Sequence, residues 1–424
     1  MLSVRAERGL DEPFVSWMKR EWLLVVITTG VALDWLPWVL TPFLPQIAPL
    51  LSGTRLLVLP GLMLACLLRP SWIARPHGLG VAYLAGILIG GGLGYLTGTV
   101  APSRLTTIVV NGFVLIYYLQ IRSLVSIRRV LAIVLVSSLL VPLVQSLTWL
   151  GVISVTMLES LGLVLEHSGT RIFSIFDTTT VGFIPLIIPA CLGGLIFVPP
   201  RLRTAIMIVL AAGLVTFGAS SAVVAQQRSG VMAYGATIVV AALLYVLAQP
   251  RRQRLIWLSL MVLFGLASLG IAYYARDVAT EAQERFSDVE AYEGAKSLRL
   301  GGLFTFFSDV LENPLNPVPI GHQSLLDRTG VEPHLLVSEA YYEGGPIFLV
   351  VILVILYKFG VACIALARSA DPHARIVGNI LCAFGAGAAI QVTIQTALGL
   401  RLVPLVLGVG IAAQRAMRAQ GRST

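Results

Sequence analysis

Long apolar runs, separated by short basic segments, make up almost the whole chain. A helix needs about 20 apolar residues to cross the bilayer core, so each run that approaches this length predicts one membrane span. Twelve runs qualify. They lie near residues 22–40, 50–68, 79–99, 105–121, 130–150, 180–198, 204–225, 231–248, 254–274, 345–367, 376–397 and 399–414. The pattern predicts an all-α, polytopic integral membrane protein whose single membrane domain covers residues 1–424.

One long polar segment, residues 276–344, separates the ninth predicted span from the tenth. It contains twelve of the 21 carboxylates of the chain and two of its five histidines, His322 and His334. Long loops that are neither low-complexity nor linkers usually carry function, so we expect the functional site here.

The large loop is itself predicted to contain short helices. The sequence LRLGGLFTFFSDVLEN has helical periodicity and ends at an asparagine followed by prolines, and a second helix is predicted to end at Gly330. The first helix is expected to place four apolar residues on one face: Leu303, Phe306, Phe307 and Leu311.

The charge distribution predicts the orientation of the spans. With the N-terminus inside, 19 of the 30 lysines and arginines fall in inner segments, and ten fall in outer segments, half of them in the large loop. Cytoplasmic loops of membrane proteins carry such an excess of positive charge. We therefore expect both termini on the cytoplasmic side of the membrane and the large loop on the outer side.

The composition excludes several other classes of protein. With 57% hydrophobic and 12% charged residues and a mean hydropathy of +0.86, the chain is not a soluble domain. Its net charge of +9 is explained by topology and anionic lipid, so no nucleic-acid partner is expected. The four cysteines lie in apolar runs and are interpreted as small buried hydrophobic residues, not as disulfides or metal ligands.

Glycines recur at every fourth position in the third predicted span: Gly86, Gly90, Gly94 and Gly98. Small residues at this spacing line one face of a helix and predict close packing against a neighbouring helix.

Five arginines stand alone near the predicted outer ends of spans: Arg55, Arg104, Arg171, Arg228 and Arg401. A cation there does not help topology, and it is costly near hydrocarbon unless it reaches the membrane surface or meets an anion. For Arg55 and Arg104 the pattern favours an interfacial side chain that reaches the surface. The other three have unusual surroundings, such as the tight QQRSG turn around Arg228, and are candidates for binding an anion.

Four segments of the chain resemble the O-antigen ligase and O-antigen polymerase family of bacterial envelope glycosyltransferases. They are RIFSIFDTTTVGF with Arg171, AQQRSGVMA with Arg228, SLRLGGLFTFFSDVLENPL with Arg299, and HLLVSEAYYEGGPIFLV with His334. Their order and spacing resemble those of the family over residues 165–365. The chain departs from the family pattern at Leu335, where asparagine is common, and at Asp-Thr-Thr-Thr, where Pro-Asn is common.

The resemblance implies a GT-C-like enzyme that transfers a glycan from an undecaprenyl-diphosphate carrier to an acceptor sugar at the periplasmic face, without a metal or other cofactor. It implies that Arg171, Arg228 and Arg299 bind the diphosphate and that His334 is the catalytic base. Arg401 is a weaker fourth candidate for the diphosphate because of its isolated position at an outer span end. The residue chemistry agrees, because arginine binds phosphate oxygens through two parallel hydrogen bonds and histidine exchanges protons near neutral pH. The other candidates for the base are His322, Glu339 and Glu343.

Two questions stay open on the sequence alone. A flippase for lipid-linked oligosaccharides, or another transporter, is the alternative function, although such proteins usually have internal repeats and ionisable residues at mid-bilayer. Within the glycosyltransferase family, an O-antigen or exopolysaccharide polymerase, which we favour, differs from a ligase in its acceptor. A polymerase extends another carrier-linked glycan, whereas a ligase transfers to the lipid A core.

Overall fold

The architecture was obtained as a computed structural model of the whole chain. It describes residues 14–33, 77–149, 182–197, 228–248, 289–329, 335–392 and 398–421, a strand pair within 167–172, and residues 152, 213, 218 and 254. For residues 289–300 the description covers the backbone.

Helices make up nearly all regular structure in this part of the chain. In order they are α1 (Phe14–Arg20), α2 (Trp22–Ala32), α3 (Gly78–Leu96), α4 (Pro102–Leu119), α5 (Leu124–Ser138), α6 (Leu140–Trp149), α7 (Ile187–Ala190), α8 (Arg228–Leu247), α9 (Val289–Glu312), α10 (His322–Thr329), α11 (Leu336–Ala367), α12 (Pro372–Val392) and α13 (Leu402–Gly421). Two short 3₁₀ segments, Ile184–Leu186 and Cys191–Phe197, flank α7. Strands β1 (His167–Ser168) and β2 (Arg171–Ile172) pair antiparallel.

Six helical segments among the described residues are long and apolar enough to cross a membrane, by length and composition. They are Gly78–Leu96, Leu124–Gln145, Ser229–Leu247, Leu336–Ala367, Pro372–Val392 and Leu402–Gln420. Each coincides with a predicted span, so the predicted helical class is confirmed and the chain is compatible with a multi-pass membrane protein. The total of twelve spans stays a prediction. The spans predicted near 50–68, 204–225 and 254–274 fall almost entirely outside the described residues. In the described parts of those predicted near 22–40, 105–121 and 180–198, no helix is both long and apolar enough by the same measure of length and composition.

The chain packs as two compact units. The first comprises Met1–Ser137, Glu293–Val377 and Val392–Thr424, and the second comprises Ser138–Tyr292 and Gly378–Gln391.

Close helix packing organises the first unit around α3 and α11. Helix α3 packs against α11 and α4, and α13 packs against α4 and α11. The glycines of α3 make the approach to α11 possible: a Cβ at Gly90 would collide with the carbonyl oxygen of Gly344, and one at Gly86 would lie 3.3 Å from the Phe348 ring. The predicted packing role is therefore confirmed for Gly86 and Gly90. It is wrong for Gly98, which lies beyond the end of α3 with a φ of 78° and at which a Cβ would meet nothing within 4 Å.

Each end of the first unit has a hydrogen bond between two segments that the predicted topology places on the same side of the membrane. At one end, the Thr99 hydroxyl donates to the carbonyl oxygen of Pro319 over 2.9 Å. At the other end, the indole N–H of Trp17 donates to the Ser126 hydroxyl over 3.3 Å. We call the end with Thr99 the loop end, because part of the large polar loop packs there. That this end faces the outer side of the membrane stays a prediction from the charge count.

The helices predicted within the large loop are present. Helix α9 ends at Glu312, directly before Asn313, and α10 ends at Thr329. The four apolar residues predicted on one face of α9 do lie on the same side of the helix, but their burial differs: Phe306 is 5% exposed, whereas Phe307 is 52% and Leu311 is 79% exposed. At about 100° per residue the four side chains span too wide an arc to meet one neighbour, so only the half with Leu303 and Phe306 packs inward.

In the second unit, Asn379 and Phe384 of α12 contact the segment 182–197. The Asn379 amide donates to the carbonyl oxygen of Gly193 over 3.1 Å. The rings of Phe183 and Phe384 meet edge to face with centroids 5.8 Å apart. Helix α8 packs against the same 182–197 segment.

The glycine contact between α3 and α11 gives a direct test of this packing. Gly90→Ala places a methyl group against the Gly344 carbonyl, and we expect it to lower the free energy of unfolding by about 1–3 kcal/mol, as overpacking does. Gly92→Ala is the matched control, because a Cβ there meets nothing within 4 Å. Unfolding by SDS in mixed micelles measures both variants. Equal stability of the two variants would contradict the packing described.

Candidate functional site

Two buried carboxylates lie at the loop end of α11. Glu339 and Glu343 are four residues apart on the same helix, so their side chains lie on one face. They are 0% and 1% exposed. A carboxylate is rarely buried to this extent unless cations or hydrogen-bond donors surround it, so we expect such partners around these two residues.

A break in α11 follows directly after the carboxylates. Gly345 has a φ of 71°, which favours glycine, and Pro346 next to it has no backbone N–H to donate. The first nine residues of α11 therefore form a segment of their own that carries Glu339 and Glu343. The apolar stretch that could cross the membrane follows the break.

Arg104, near the start of α4, pairs with both carboxylates. Its Nε donates to Oε1 of Glu343 over 3.1 Å, and its Nη2 lies 3.5 Å from Oε2 of Glu339. The Arg104 side chain is 30% exposed, whereas the two carboxylates are almost completely enclosed. The interpretation of Arg104 as an interfacial side chain that merely reaches the membrane surface is therefore wrong, since it has found anionic partners within the protein.

The backbone before α13 completes the surroundings of Glu339. The Leu398 N–H donates to Oε2 of Glu339 over 3.0 Å. The Leu398 carbonyl accepts from the buried Asn111 amide over 2.7 Å. The backbone N–H and carbonyl of Leu398 are thus both hydrogen-bonded, and these two bonds position the segment between α4 and α11. The N–H also gives Glu339 a hydrogen-bond donor that does not titrate.

His322 reaches the same cluster from the large loop. Its Nδ1 lies 3.8 Å from Oε1 of Glu343, and its side chain is 24% exposed. The preceding residue, Gly321, has a φ of 90° and donates its N–H to the carbonyl oxygen of Tyr342 over 3.0 Å. This backbone contact holds the start of α10 beside Glu343.

The four side chains form a cluster suited to proton transfer. We call Arg104, Glu339, Glu343 and His322 the loop-end cluster. Arg104 contributes one positive charge against two carboxylates, and an imidazole beside a carboxylate is a common pair in general acid–base catalysis. The cluster can therefore orient and exchange a proton, while its two carboxylates disfavour a phosphate ligand in direct contact with them.

A second set of polar contacts fastens α9 and α10 onto α11. Arg328 donates to both carboxylate oxygens of Asp309, over 2.8 Å to Oδ1 and 2.6 Å to Oδ2. The Tyr342 hydroxyl also donates to Oδ2, and the Tyr341 hydroxyl donates to the Asp309 carbonyl over 2.9 Å. Phe306 and Leu325 pack with the two tyrosine rings in one apolar cluster. These contacts form what we call the Asp309 latch.

The latch shifts the titration of Asp309. Burial on its own would raise the pKa of this carboxyl, but hydrogen bonds from Arg328 and Tyr342, together with the charge of Arg328, lower the pKa of Asp309 below its usual value. The same pairing raises the pKa of Arg328. Asp309 is therefore charged at neutral pH, and its charge favours the docked position of the two loop helices.

The structure brings together three of the candidate site residues chosen from the sequence: His322, Glu339 and Glu343. Arg401, the fourth arginine candidate, precedes α13 and is 4% exposed, so a ligand reaches it only if the residues covering it move. His334 lies outside the described residues.

The three principal arginine candidates are described by their backbone. Arg171 is in β2, where it pairs with Ser168. Arg228 is the first residue of α8, and Arg299 lies within α9. Their side chains fall outside the described part of the chain, so the gathering of these arginines with His334 in one pocket stays a prediction.

Sequence reasoning missed the pairing of Arg104 with the two glutamates. The available signal was a lone arginine at the outer end of one span and two carboxylates at i and i+4 at the outer end of another. It also missed Asp309 and Arg328, which are 19 residues apart in the loop and have no local spacing that predicts contact.

Two comparisons with known proteins found no match for this chain. No family model matches the chain, and no curated protein matches it. Among the described residues, no group of three or more histidine, cysteine, aspartate or glutamate side chains is arranged to hold a metal ion.

Removal of Arg104 should be costly because it leaves two carboxylates enclosed without their guanidinium. We expect Arg104→Leu to lower the free energy of unfolding by about 3 kcal/mol, the lower part of the range for breaking a buried pair, since the arginine is partly exposed. Replacing both glutamates with glutamine in the same protein should recover part of that loss. SDS unfolding in mixed micelles measures these variants.

The matched control for Arg104 is Arg20, whose Nε lies 3.6 Å from Glu21 with 58% of its side chain exposed. Arg20→Leu should cost less than about 1 kcal/mol, as exposed ion pairs do. If Arg104→Leu costs no more than Arg20→Leu, the enclosed pairing is wrong.

The Asp309 latch should weaken in acid. Because the folded-state pKa of Asp309 is lowered, its charge adds stability above the ordinary carboxyl pKa of about 4, and this contribution is lost as pH falls through the lowered value. Asp309→Asn should therefore be less stable than wild type at neutral pH, and the difference should shrink in acid.

Thermal unfolding in nanodiscs as a function of pH measures the effect at Asp309. Asp327→Asn is the control, because Asp327 is exposed and accepts a hydrogen bond from Gln323 on its own helix. A difference between wild type and Asp309→Asn that does not change with pH would rule out the latch as the source of the acid sensitivity.

Proposed function

We propose that this chain is a membrane glycosyltransferase of the O-antigen polymerase or ligase type. It transfers a glycan from an undecaprenyl-diphosphate carrier to an acceptor sugar at the periplasmic face of the inner membrane. The observation that carries the proposal is the loop-end cluster, in which a guanidinium, two enclosed carboxylates and an imidazole meet where membrane-length helices end and the polar loop packs.

The position of the cluster suits a lipid-linked donor. The diphosphate of such a carrier is anchored at the membrane surface by its hydrocarbon tail, so the reacting bond lies near the ends of the spans. A water-soluble sugar chain can reach the same level from the loop side. A catalytic group at mid-bilayer would meet neither substrate. Glu343 instead precedes the break before the apolar stretch of α11, and the His322 imidazole lies 3.8 Å from its carboxylate on the loop side.

Donor and acceptor are assigned to different groups because of charge. The carboxylates of the loop-end cluster repel phosphate, so the diphosphate is assigned to Arg171, Arg228 and Arg299, with Arg401 as the weaker fourth candidate. The acceptor hydroxyl is assigned to the histidine side of the site. There it meets a base, and the negative charge of the leaving diphosphate is held by the arginines.

In the proposed reaction, the acceptor oxygen forms a bond with the anomeric carbon of the donor sugar. The bond from that carbon to the diphosphate oxygen breaks, and the carrier diphosphate leaves with the electron pair. The hydroxyl proton passes to the base. His334 is the proposed base on the basis of the family resemblance, and His322 is the competing candidate on the basis of its 3.8 Å contact with Glu343.

Transfer in a purified system tests the function. The full chain, reconstituted in nanodiscs, is incubated with an undecaprenyl-diphosphate oligosaccharide and an acceptor, either a second carrier-linked glycan or lipid A core. Formation of a longer glycan with release of carrier diphosphate is expected. The acceptor that is used separates polymerase from ligase. Absence of transfer to either acceptor, with donor binding intact, contradicts the proposal.

Single variants then test the assigned roles. His334→Ala should reduce turnover by about 10²–10⁴-fold, the usual contribution of a general base, while donor binding is retained. Lysine in place of Arg171, Arg228 or Arg299 keeps the charge but removes the paired hydrogen bonds, so donor binding should weaken. If His334→Ala turns over normally and His322→Ala does not, the base is His322. If both turn over normally, the base is a carboxylate, and Glu339 and Glu343 are the candidates.

A transporter for lipid-linked oligosaccharides is the second candidate function. The observation that favours it is the almost complete enclosure of Glu339 and Glu343 at the loop end of a membrane-length helix, because enclosed ionisable residues beside a span often belong to proton or substrate pathways. Proteoliposomes loaded with a fluorescent carrier-linked glycan distinguish the two. Movement of the glycan across the bilayer without any acceptor, and no transfer when acceptor is present, would favour the transporter.

A further inference from the structure

Helix α9 has three distinct faces over residues 303–312. The inner face, with Leu303, Phe306 and Val310, packs on the apolar cluster around the tyrosines of α11. A polar face carries Thr305, whose hydroxyl donates to the carbonyl oxygen of Gly301 over 2.9 Å. The same face carries exposed Ser308, whose hydroxyl donates to Glu312 over 2.7 Å. The third face is apolar and exposed.

We call this third face the outer stripe of α9. It consists of Phe304, Phe307 and Leu311, which are 69%, 52% and 79% exposed. At about 100° per residue these three side chains lie within about 60° of one another, between the inner face and the polar face. Leu315, just after the helix, is 89% exposed. Each large apolar side chain gains about 1.5–3 kcal/mol when removed from water, so a stripe of this kind indicates a partner surface.

The depth of α9 along α11 identifies that partner. The inner face of α9 belongs to one apolar cluster with Tyr342, before the break in α11, and with Leu349, after it. Leu349 lies four residues beyond Gly345, about 6 Å along the helix axis. Helix α9 therefore lies beside the point where α11 begins its apolar, membrane-length stretch.

The neighbouring surfaces at this level are also apolar and exposed. Ile347 and Val350, in the first turn of α11 after the break, are 47% and 57% exposed. Tyr95 and Leu96, at the loop end of α3, are 52% and 79% exposed. Exposed aliphatic and tyrosine side chains at the ends of spans are typical of the boundary between lipid acyl chains and headgroups.

We propose that α9 lies in the membrane interface at the loop end, with its outer stripe among lipid acyl chains and Ser308 and Glu312 directed toward water. The outer stripe contains no charged residue, and it lies at the level where the exposed apolar surface of the α11 span begins. An amphipathic helix with these three arcs binds one leaflet of the bilayer while its inner face stays docked on protein. The placement does not rest on the proposed transferase activity.

Site-directed spin labelling of the full chain tests this placement. Single cysteines at 304, 307 and 311 probe the outer stripe, and single cysteines at 308 and 312 are matched controls on the polar face of the same helix. The native cysteines Cys66, Cys191, Cys363 and Cys382 are replaced with alanine. Each labelled protein is reconstituted in nanodiscs of phosphatidylethanolamine and phosphatidylglycerol, and its collision rates with oxygen and with a water-soluble nickel chelate are measured.

Labels at 304, 307 and 311 should collide strongly with oxygen and weakly with the nickel chelate, and labels at 308 and 312 should show the reverse. High nickel accessibility at all five positions would place the stripe in water and overturn the proposal. Low accessibility to both reagents at 304, 307 and 311 would show that protein covers the stripe, either a second copy or another segment of this chain. That result would also overturn it.

Discussion

The enclosure of two carboxylates is the constraint on which the loop end of the first unit depends. Burial of Glu339 and Glu343 is compensated by contacts with Arg104, the Leu398 N–H and His322. These three groups and the carboxylates themselves come from four separate parts of the chain. Removing a charged pair from water costs several kcal/mol per ion unless the geometry is nearly complete, so the carboxylates fix where each of these segments can lie.

Backbone geometry makes this enclosure possible. Gly90 in α3 lets the chain pass directly against Gly344, and the left-handed Gly345 ends the segment that carries the glutamates. Larger residues at these two positions would separate α3 from α11 or straighten α11. The spacing between Arg104 and the carboxylates would then be lost. The position of the charged side chains at the loop end therefore depends on the close packing of the small residues.

The sequence predicted features that depend on local pattern. Membrane-length helices, the glycine face of α3 and the ends of α9 and α10 follow from hydrophobic period, spacing and proline, and each was predicted. The pairing of Arg104 with Glu343 could not be predicted in this way, because 239 residues separate them and a lone outward arginine is equally compatible with the membrane surface. The division of the apolar side of α9 into buried and exposed residues could not be predicted for a related reason: hydrophobicity alone does not distinguish contact with protein from exposure to another apolar phase. The roles of Arg171, Arg228, Arg299 and His334 depend on chemistry that only substrate can reveal.

Tyr342 connects two sets of contacts that are otherwise separate. Its hydroxyl belongs to the Asp309 latch, its carbonyl accepts from Gly321 next to His322, and its chain neighbour is Glu343. A free energy that favours docking of the loop helices therefore also favours the position of the loop-end cluster. By thermodynamic reciprocity, a molecule that binds the cluster more tightly in this arrangement must tighten the docking of the loop by the same factor. Docking of the loop and binding at the cluster are therefore coupled equilibria, and Tyr342 is the residue that takes part in both.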